Sequence, residues 1–258
     1  MRLLIFVFFF LSSTLSCFAY DIQPYSEEQL DKTKAALNLV FYALNYPEEQ
    51  DSSEDIDVIL ESLKKTKPFD EFNNFAIWYA NLPKEEKNSI FKSTPGFPPL
   101  KVRQDFLDYI SERLKSNYKL IIIDYSGSLS CAELSSIDKL SLIILGRKRY
   151  TSSGSFAKGF LHELGHSLGL REECVRCNQL CAPGPPNCAT TQEDAQEWWG
   201  DLAKNYSRVR FINGCCGNKD YIRPTIASLM NNTDKAGDFG PVNERFLREE
   251  LGLSTPDK

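Results

Sequence analysis

The sequence predicts an α/β fold of the α+β kind, a mixed twisted sheet packed by helices, and three observations carry that expectation. Through residue 145, short apolar runs of β-branched and aromatic residues alternate with amphipathic stretches at helical spacing. Residues 160–174, F-L-H-E-L-G-H-S-L-G-L-R-E-E-C, follow as a helix that holds both histidines of the chain. Beyond Gly169 the chain is irregular and rich in Cys, Pro and Gly, with only two further helical stretches. At 258 residues it has room for one fairly large domain or two small ones, with a sizeable core.

The elements follow in order. Arg2, the apolar run 3–11, Ser12, Ser13, Thr14 and the small-residue end Cys17-Phe18-Ala19 make residues 1–19 a secretory signal, cleaved after Ala19. That run is too short to span a bilayer and no later run is long enough, so the chain is expected outside the cell or in a periplasm. The residues before Cys17 fit a lipid-anchored leader poorly. In the N-terminal segment 20–36, Ser26 and Gln29 form a capping box that opens a helix-prone stretch, 26–36. Residues 37–44 (L-N-L-V-F-Y-A-L) are the first strand, ended by Pro47 and an acidic loop. Ile56, Ile59, Leu60 and Leu63 place a helix at 53–66, stopped by Pro68, and 75–82 is a second strand. That strand, helix, strand order suggests a right-handed parallel crossover.

A charged, then Pro- and Gly-rich loop spans 84–100, and Val102, Phe106, Tyr109, Ile110 and Leu114 predict a helix over 101–116. Strands at 120–124 and 140–145 flank a small-residue loop through Cys131, and the histidine helix covers 155–168. Helices are expected again at 191–204, with Trp198 and Trp199, and at 243–251.

Charge and cysteines limit the function classes. With 30 basic against 35 acidic residues, the chain suits neither nucleic acid nor an anionic membrane surface. In an exported chain the cysteines after the leader (Cys131, Cys174, Cys177, Cys181, Cys188, Cys215 and Cys216) are expected in disulfides, with Cys131 the odd thiol. A second reading gives Cys174, Cys177, Cys181 and Cys188 a zinc of their own, although the spacing matches no common four-cysteine site. Asn205 and Asn231 begin N-x-S/T sequons.

His162 and His166 stand one helical turn apart, so both imidazoles reach one ion, and Glu163 lies where a carboxylate can touch a water on that ion. This is the H-E-x-x-H pattern of zinc hydrolases, with Glu163 as general base. Gly169 lets the helix stop and the chain double back, which would bring Glu172 to the metal as third ligand. Further on, Y-I-R-P-T-I-A-S-L-M-N-N contains Met230, the only methionine beyond the first residue.

With H-E-x-x-H-x-x-G followed by a methionine turn, the chain resembles the metzincin metallopeptidases, and within them the IgA-peptidase-like family. The matching features are the acidic pair Glu172-Glu173 and the run Tyr221-x-Arg223-Pro224 into Ser228-Leu229-Met230. The resemblance spans roughly 37–251 and is sharp at 160–173 and 221–230. It departs in having Glu where Asp is usual at the third ligand, and in the cysteine-rich insert at 174–188. It implies a metallopeptidase domain at 37–258, with upper (37–168) and lower (169–258) subdomains. It also implies one catalytic Zn²⁺ on His162, His166 and Glu172, with Met230 as an apolar floor beneath them.

A rival third ligand is Glu197 on the helix downstream, as in gluzincins, with Glu173 and Asp194 as further candidates. Tyr221 is the nearest candidate to assist an oxyanion, although a tyrosine packed in a core is the commoner case. The expected activity is hydrolysis of peptide bonds by a zinc-activated water, in a monomer whose peptide or protein substrate lies along an edge strand at 140–145. A catalytically silent zinc-containing binding module, or a hydrolase of a non-peptide amide, stands as the alternative.

Overall fold

A strand that is apolar at nearly every position suits only the middle of a sheet covered on both faces, and residues 37–44 lie there. The computed structural model describes residues 20–25, 35–82, 90–93, 100–133, 136, 138–174 and 181–254. In chain order the elements are β1 (Asp21–Pro24), β2 (Leu37–Leu44), α1 (Ser53–Leu63), β3 (Phe75–Asn81), β4 (Phe91–Ser93) and β5 (Leu100–Val102). There follow α2 (Gln104–Leu114), β6 (Tyr118–Asp124), β7 (Cys131–Ala132), β8 (Ser141–Gly146) and α3 (Ser153–Ser167). The last are α4 (Gln192–Asn205), β9 (Ile212–Cys215), β10 (Asn218–Arg223) and α5 (Pro241–Glu250).

The main sheet has the order β1-β3-β2-β6-β8-β7. Its four inner strands run parallel, and β1 and β7 close its two edges antiparallel. Alternate side chains sort to opposite faces. Leu39, Phe41, Ile121, Ile123, Ile143 and Leu145 meet α1 and α3, whereas Val40, Tyr42, Ile122 and Ile144 meet Phe106 and Ile110 of α2. The first of these clusters continues through Phe160 and Leu164 to Met230, Phe239 and Leu247, so one core crosses from the strand-rich part of the chain into the irregular part.

The four inner strands and the helices that pack on them are thus close to where the sequence puts them, and β2 and β3 pair in parallel around α1. Three expectations change. Residues 140–145 are not an edge, because β7 pairs with β8 through Cys131↔Ile144 and Ala132↔Ile143. The helix expected from residue 101 starts at Gln104, because Leu100–Val102 is pulled into pairing with Phe91–Ser93. The cysteine-held second zinc is replaced by disulfides Cys181–Cys216 and Cys188–Cys215, while Cys131 is buried and unbridged. Residues 1–19 of the signal, 26–34 of the N-terminal helix, much of the 84–100 loop and Cys177 lie outside the described residues.

Candidate metal centre

The helix α3 is fixed at its start before any ligand is reached. Ser152 and Ser155 satisfy each other's backbone amides as a capping box. The preceding turn is tied to α1 by Arg147 Nε, 2.9 Å from Asp55, and the same guanidinium lies 5.0 Å over the ring of Phe156. Phe156, Phe160 and Leu164, spaced at one turn, then bury one face against the sheet. At Gly159 a Cβ would lie 2.1 Å from the Tyr150 hydroxyl, so the helix backbone there rests directly on that side chain.

The end of α3 makes the site. Gly169 has φ 107°, its amide donates to His166 O at 3.0 Å and that of Leu170 to Gly165 O at 2.9 Å. This is a Schellman motif, in which a glycine takes the left-handed position at little cost. It turns the chain back along the helix, so that Leu170 O accepts from His166 Nδ1 at 2.8 Å. Two residues on, Glu172 Oε2 stands 3.4 Å from His162 Nε2 and 3.6 Å from His166 Nε2. The two Nε2 atoms are 3.2 Å apart.

These three atoms form a near-equilateral triangle, and His162, His166 and Glu172 are the group among the described residues that could hold a metal ion. Zinc bonds of about 2.0–2.2 Å in tetrahedral geometry place ligand atoms about 3.3–3.5 Å apart, so the triangle fits that ion. The side chains keep 16 %, 13 % and 12 % of their surface exposed, and no fourth protein ligand joins the three among the described residues. His162 Nδ1 donates to Leu229 O at 2.8 Å. Each ring therefore keeps a proton on Nδ1, and when neutral it turns a lone pair on Nε2 toward the shared point.

Leu229 precedes Met230, which is fully buried. A Cβ on Gly165 would lie 2.6 Å from Met230 Sδ, 3.1 Å from Phe239 Cε1 and 3.2 Å from Leu170 Cδ1. The methionine thus packs on the helix backbone directly before His166. Gly165→Ala gains helix propensity of about 1 kcal/mol, but crowding three side chains is expected to leave it destabilised by about 1–3 kcal/mol in denaturant unfolding.

The charges of these side chains follow from the same geometry. Burial opposes protonation of His162, but the hydrogen bond and charge of Glu172 outweigh it and push its pKa up to about 9. Burial likewise opposes the Glu172 carboxylate, and the two imidazoles still hold it well below the usual carboxylate range. Glu163, buried on α3 between the histidines, is pushed up by its burial against the pull of both rings. At neutral pH the pair His162 and Glu172 is therefore drawn together as imidazolium and carboxylate. An ion needs that imidazole neutral, so its binding at pH 7.5 is expected to release close to one proton, falling toward none above about pH 10. Titration calorimetry in buffers of different ionisation enthalpy measures that number.

Glu173 points the other way and is fully buried. Its Oε1 accepts from Asn187 Nδ2 at 3.0 Å and Asn243 Nδ2 at 2.8 Å, and its Oε2 from Ser228 Oγ at 2.6 Å. Burial raises its pKa, while those hydrogen bonds and Arg223 pull against it. It is therefore a structural node joining the ligand segment to the Met230 turn and to α5, and it lies outside the ligand triangle. Glu197 is exposed on α4 beside Gln192, Glu193, Gln196 and Phe211, and Asp194 caps α4 through Thr191. Neither joins the triangle. Tyr221, on β10, is half-buried against the cystines of Cys181, Cys188, Cys215 and Cys216.

No known protein family and no curated protein matches the chain.

Proposed function

We propose that the protein is a secreted zinc endopeptidase of the metzincin kind, resembling the IgA-peptidase-like family. The observation that carries this reading is the triangle of His162 Nε2, His166 Nε2 and Glu172 Oε2, a set of three possible ligands, with Glu163 buried on the same helix beside it. When bound, the zinc ion supplies a Lewis acid that lowers the pKa of a coordinated water and polarises a scissile carbonyl. Glu163 takes the proton of the attacking water, holds that water in line and passes the proton to the leaving amine. Burial suits Glu163 to this role, because it moves the carboxyl toward the pH at which it must both accept and donate. Met230 and Leu229 hold the histidine helix from below, one by packing and one through its carbonyl.

The outer edge of β7, rather than that of β8, is where an extended peptide would add main-chain hydrogen bonds. Two disulfides and the lack, among the described residues, of a helix long and apolar enough to cross a membrane are compatible with export.

A zinc-containing module without activity is the second reading. The set of three ligands among the described residues and the intact Glu163 speak against it, because a structural zinc closes its fourth position with a protein ligand. Digestion of casein and of a broad peptide library, with and without a zinc chelator, tests the proposal. Cleavage that the chelator stops and added zinc restores is expected. Zinc-loaded protein that cleaves no peptide would overturn it, and a non-peptide amide would then be the substrate to try.

A further inference from the structure

The β9–β10 hairpin touches the metal site without supplying a ligand, and we propose that its two disulfides act as a clamp that positions Glu172. This rests on the reading of His162, His166 and Glu172 as metal ligands.

Residues 170–174 belong to no helix or strand, so their position depends on what they are bonded to. One side of this segment is held by Glu173 N, which donates to Met230 O at 2.9 Å. The main-chain carbonyls of Glu172 and Cys174 are held by the hairpin turn. Cys216 N donates to Glu172 O at 2.8 Å, and Gly217 N donates to Cys174 O at 3.0 Å. A two-residue hairpin loop has amides to spare, and here both are spent on the segment that carries the third ligand.

The turn needs help to stay in that shape. Cys216 and Gly217 have φ 50° and 70°, the left-handed pair of a tight hairpin. Glycine adopts that conformation freely, but a residue with a Cβ does so at a cost of about 1–2 kcal/mol. Cys216 is tethered there through Sγ to Cys181, and its neighbour Cys215 is tethered to Cys188. The apolar cluster at the hairpin tip is the cysteines themselves with Tyr221 packed against them, and Arg223 adds a hydrogen bond to Gly214 O.

The second bridge closes a ring. Asn187, next to Cys188, accepts from Arg171 N at 2.8 Å and donates to Arg171 O at 2.9 Å, and the same amide donates to Glu173. Arg171 is therefore held by the loop at one end of the bridge, and Glu172 by the turn at the other. Both bridges span long stretches of sequence, 35 and 27 residues, so their loss would free the two holders from each other.

The test compares zinc affinity, by competition with a chromogenic chelator, in the oxidised wild type and in the double variants C181S/C216S and C188S/C215S. Circular dichroism reports whether the sheet and helices persist. Folded variants that bind zinc about 10- to 100-fold more weakly are expected, the range seen when a group that orients a ligand is lost. Cys131→Ser, which touches neither bridge, should match the wild type. A folded double variant with unchanged affinity overturns the clamp. If neither variant folds, the oxidised protein is reduced with dithiothreitol, capped with iodoacetamide and titrated again. Weakened zinc binding with the helical signal intact supports the clamp. Retained affinity, or collapse of the whole fold, overturns it. Oxidised wild type that binds no zinc at all would instead sink the metal-site reading itself, and the clamp with it.

Discussion

Glu163→Gln is expected to bind zinc as the wild type does and to hydrolyse peptides about 10²- to 10⁴-fold more slowly, the usual contribution of a positioned general base. The replacement keeps the shape of a buried side chain, so it opens no cavity and should leave α3 in place. It also leaves the ligand triangle intact, since Glu163 is outside it. Losing the Glu163 charge weakens the hold on the His162 proton and also the attraction for a cation at the same place, so the two changes oppose each other. Loss of activity with zinc retained therefore separates a base from a ligand, using inductively coupled plasma analysis beside a peptide-cleavage assay. Full activity in the variant would remove Glu163 from the chemistry and with it the general-base role proposed here.

How much of this was legible beforehand divides along physical lines. The spacing of His162, Glu163 and His166 is local, because one helical turn fixes which side chains share a face. Gly169 was legible for the same reason, since a glycine at a helix end has a known conformational use. The strands at 37–44 and 75–82 show in their composition, whereas β1, β4, β5 and β7 run two to four residues and carry no periodic signal of their own. The pairing of β7 with β8 depends on a partner ten or more residues away, which is why 140–145 reads as an edge until the fold is seen. The groups that orient the histidines are the carbonyls of Leu170 and Leu229, and a main-chain oxygen leaves no mark in the residue type. Glu173 draws its three donors from positions 187, 228 and 243, a convergence that no spacing rule anticipates. The cysteines show that bridges are expected, but a list of cysteines does not say which pair.

Glu172→Ala is expected to lose zinc almost completely, while Glu197→Ala keeps it. With the carboxylate gone, the ion would depend on two imidazoles whose Nε2 atoms are 3.2 Å apart, and would lose the one negative charge in its shell. Removal of a mere orienting group costs about 10- to 100-fold in affinity, so removal of a ligand should exceed the upper end of that range. The pKa of His162 should fall in the same variant, because burial would then act on it without the opposing carboxylate. Proton release on binding whatever zinc remains should accordingly shrink, which ties the two readouts to one cause. Glu197 is exposed on the face of α4, so its truncation should move stability by no more than about 0.5 kcal/mol. The pair of variants decides the coordination sphere because the two carboxylates make opposite demands on the fold. A ligand at Glu197 has no use for the Gly169 turn, whereas a ligand at Glu172 requires that turn to arrive, and the same turn brings the Leu170 carbonyl that holds the His166 ring. Zinc lost from Glu197→Ala and kept by Glu172→Ala would mean that the chain closes on its metal in a different way from the one described.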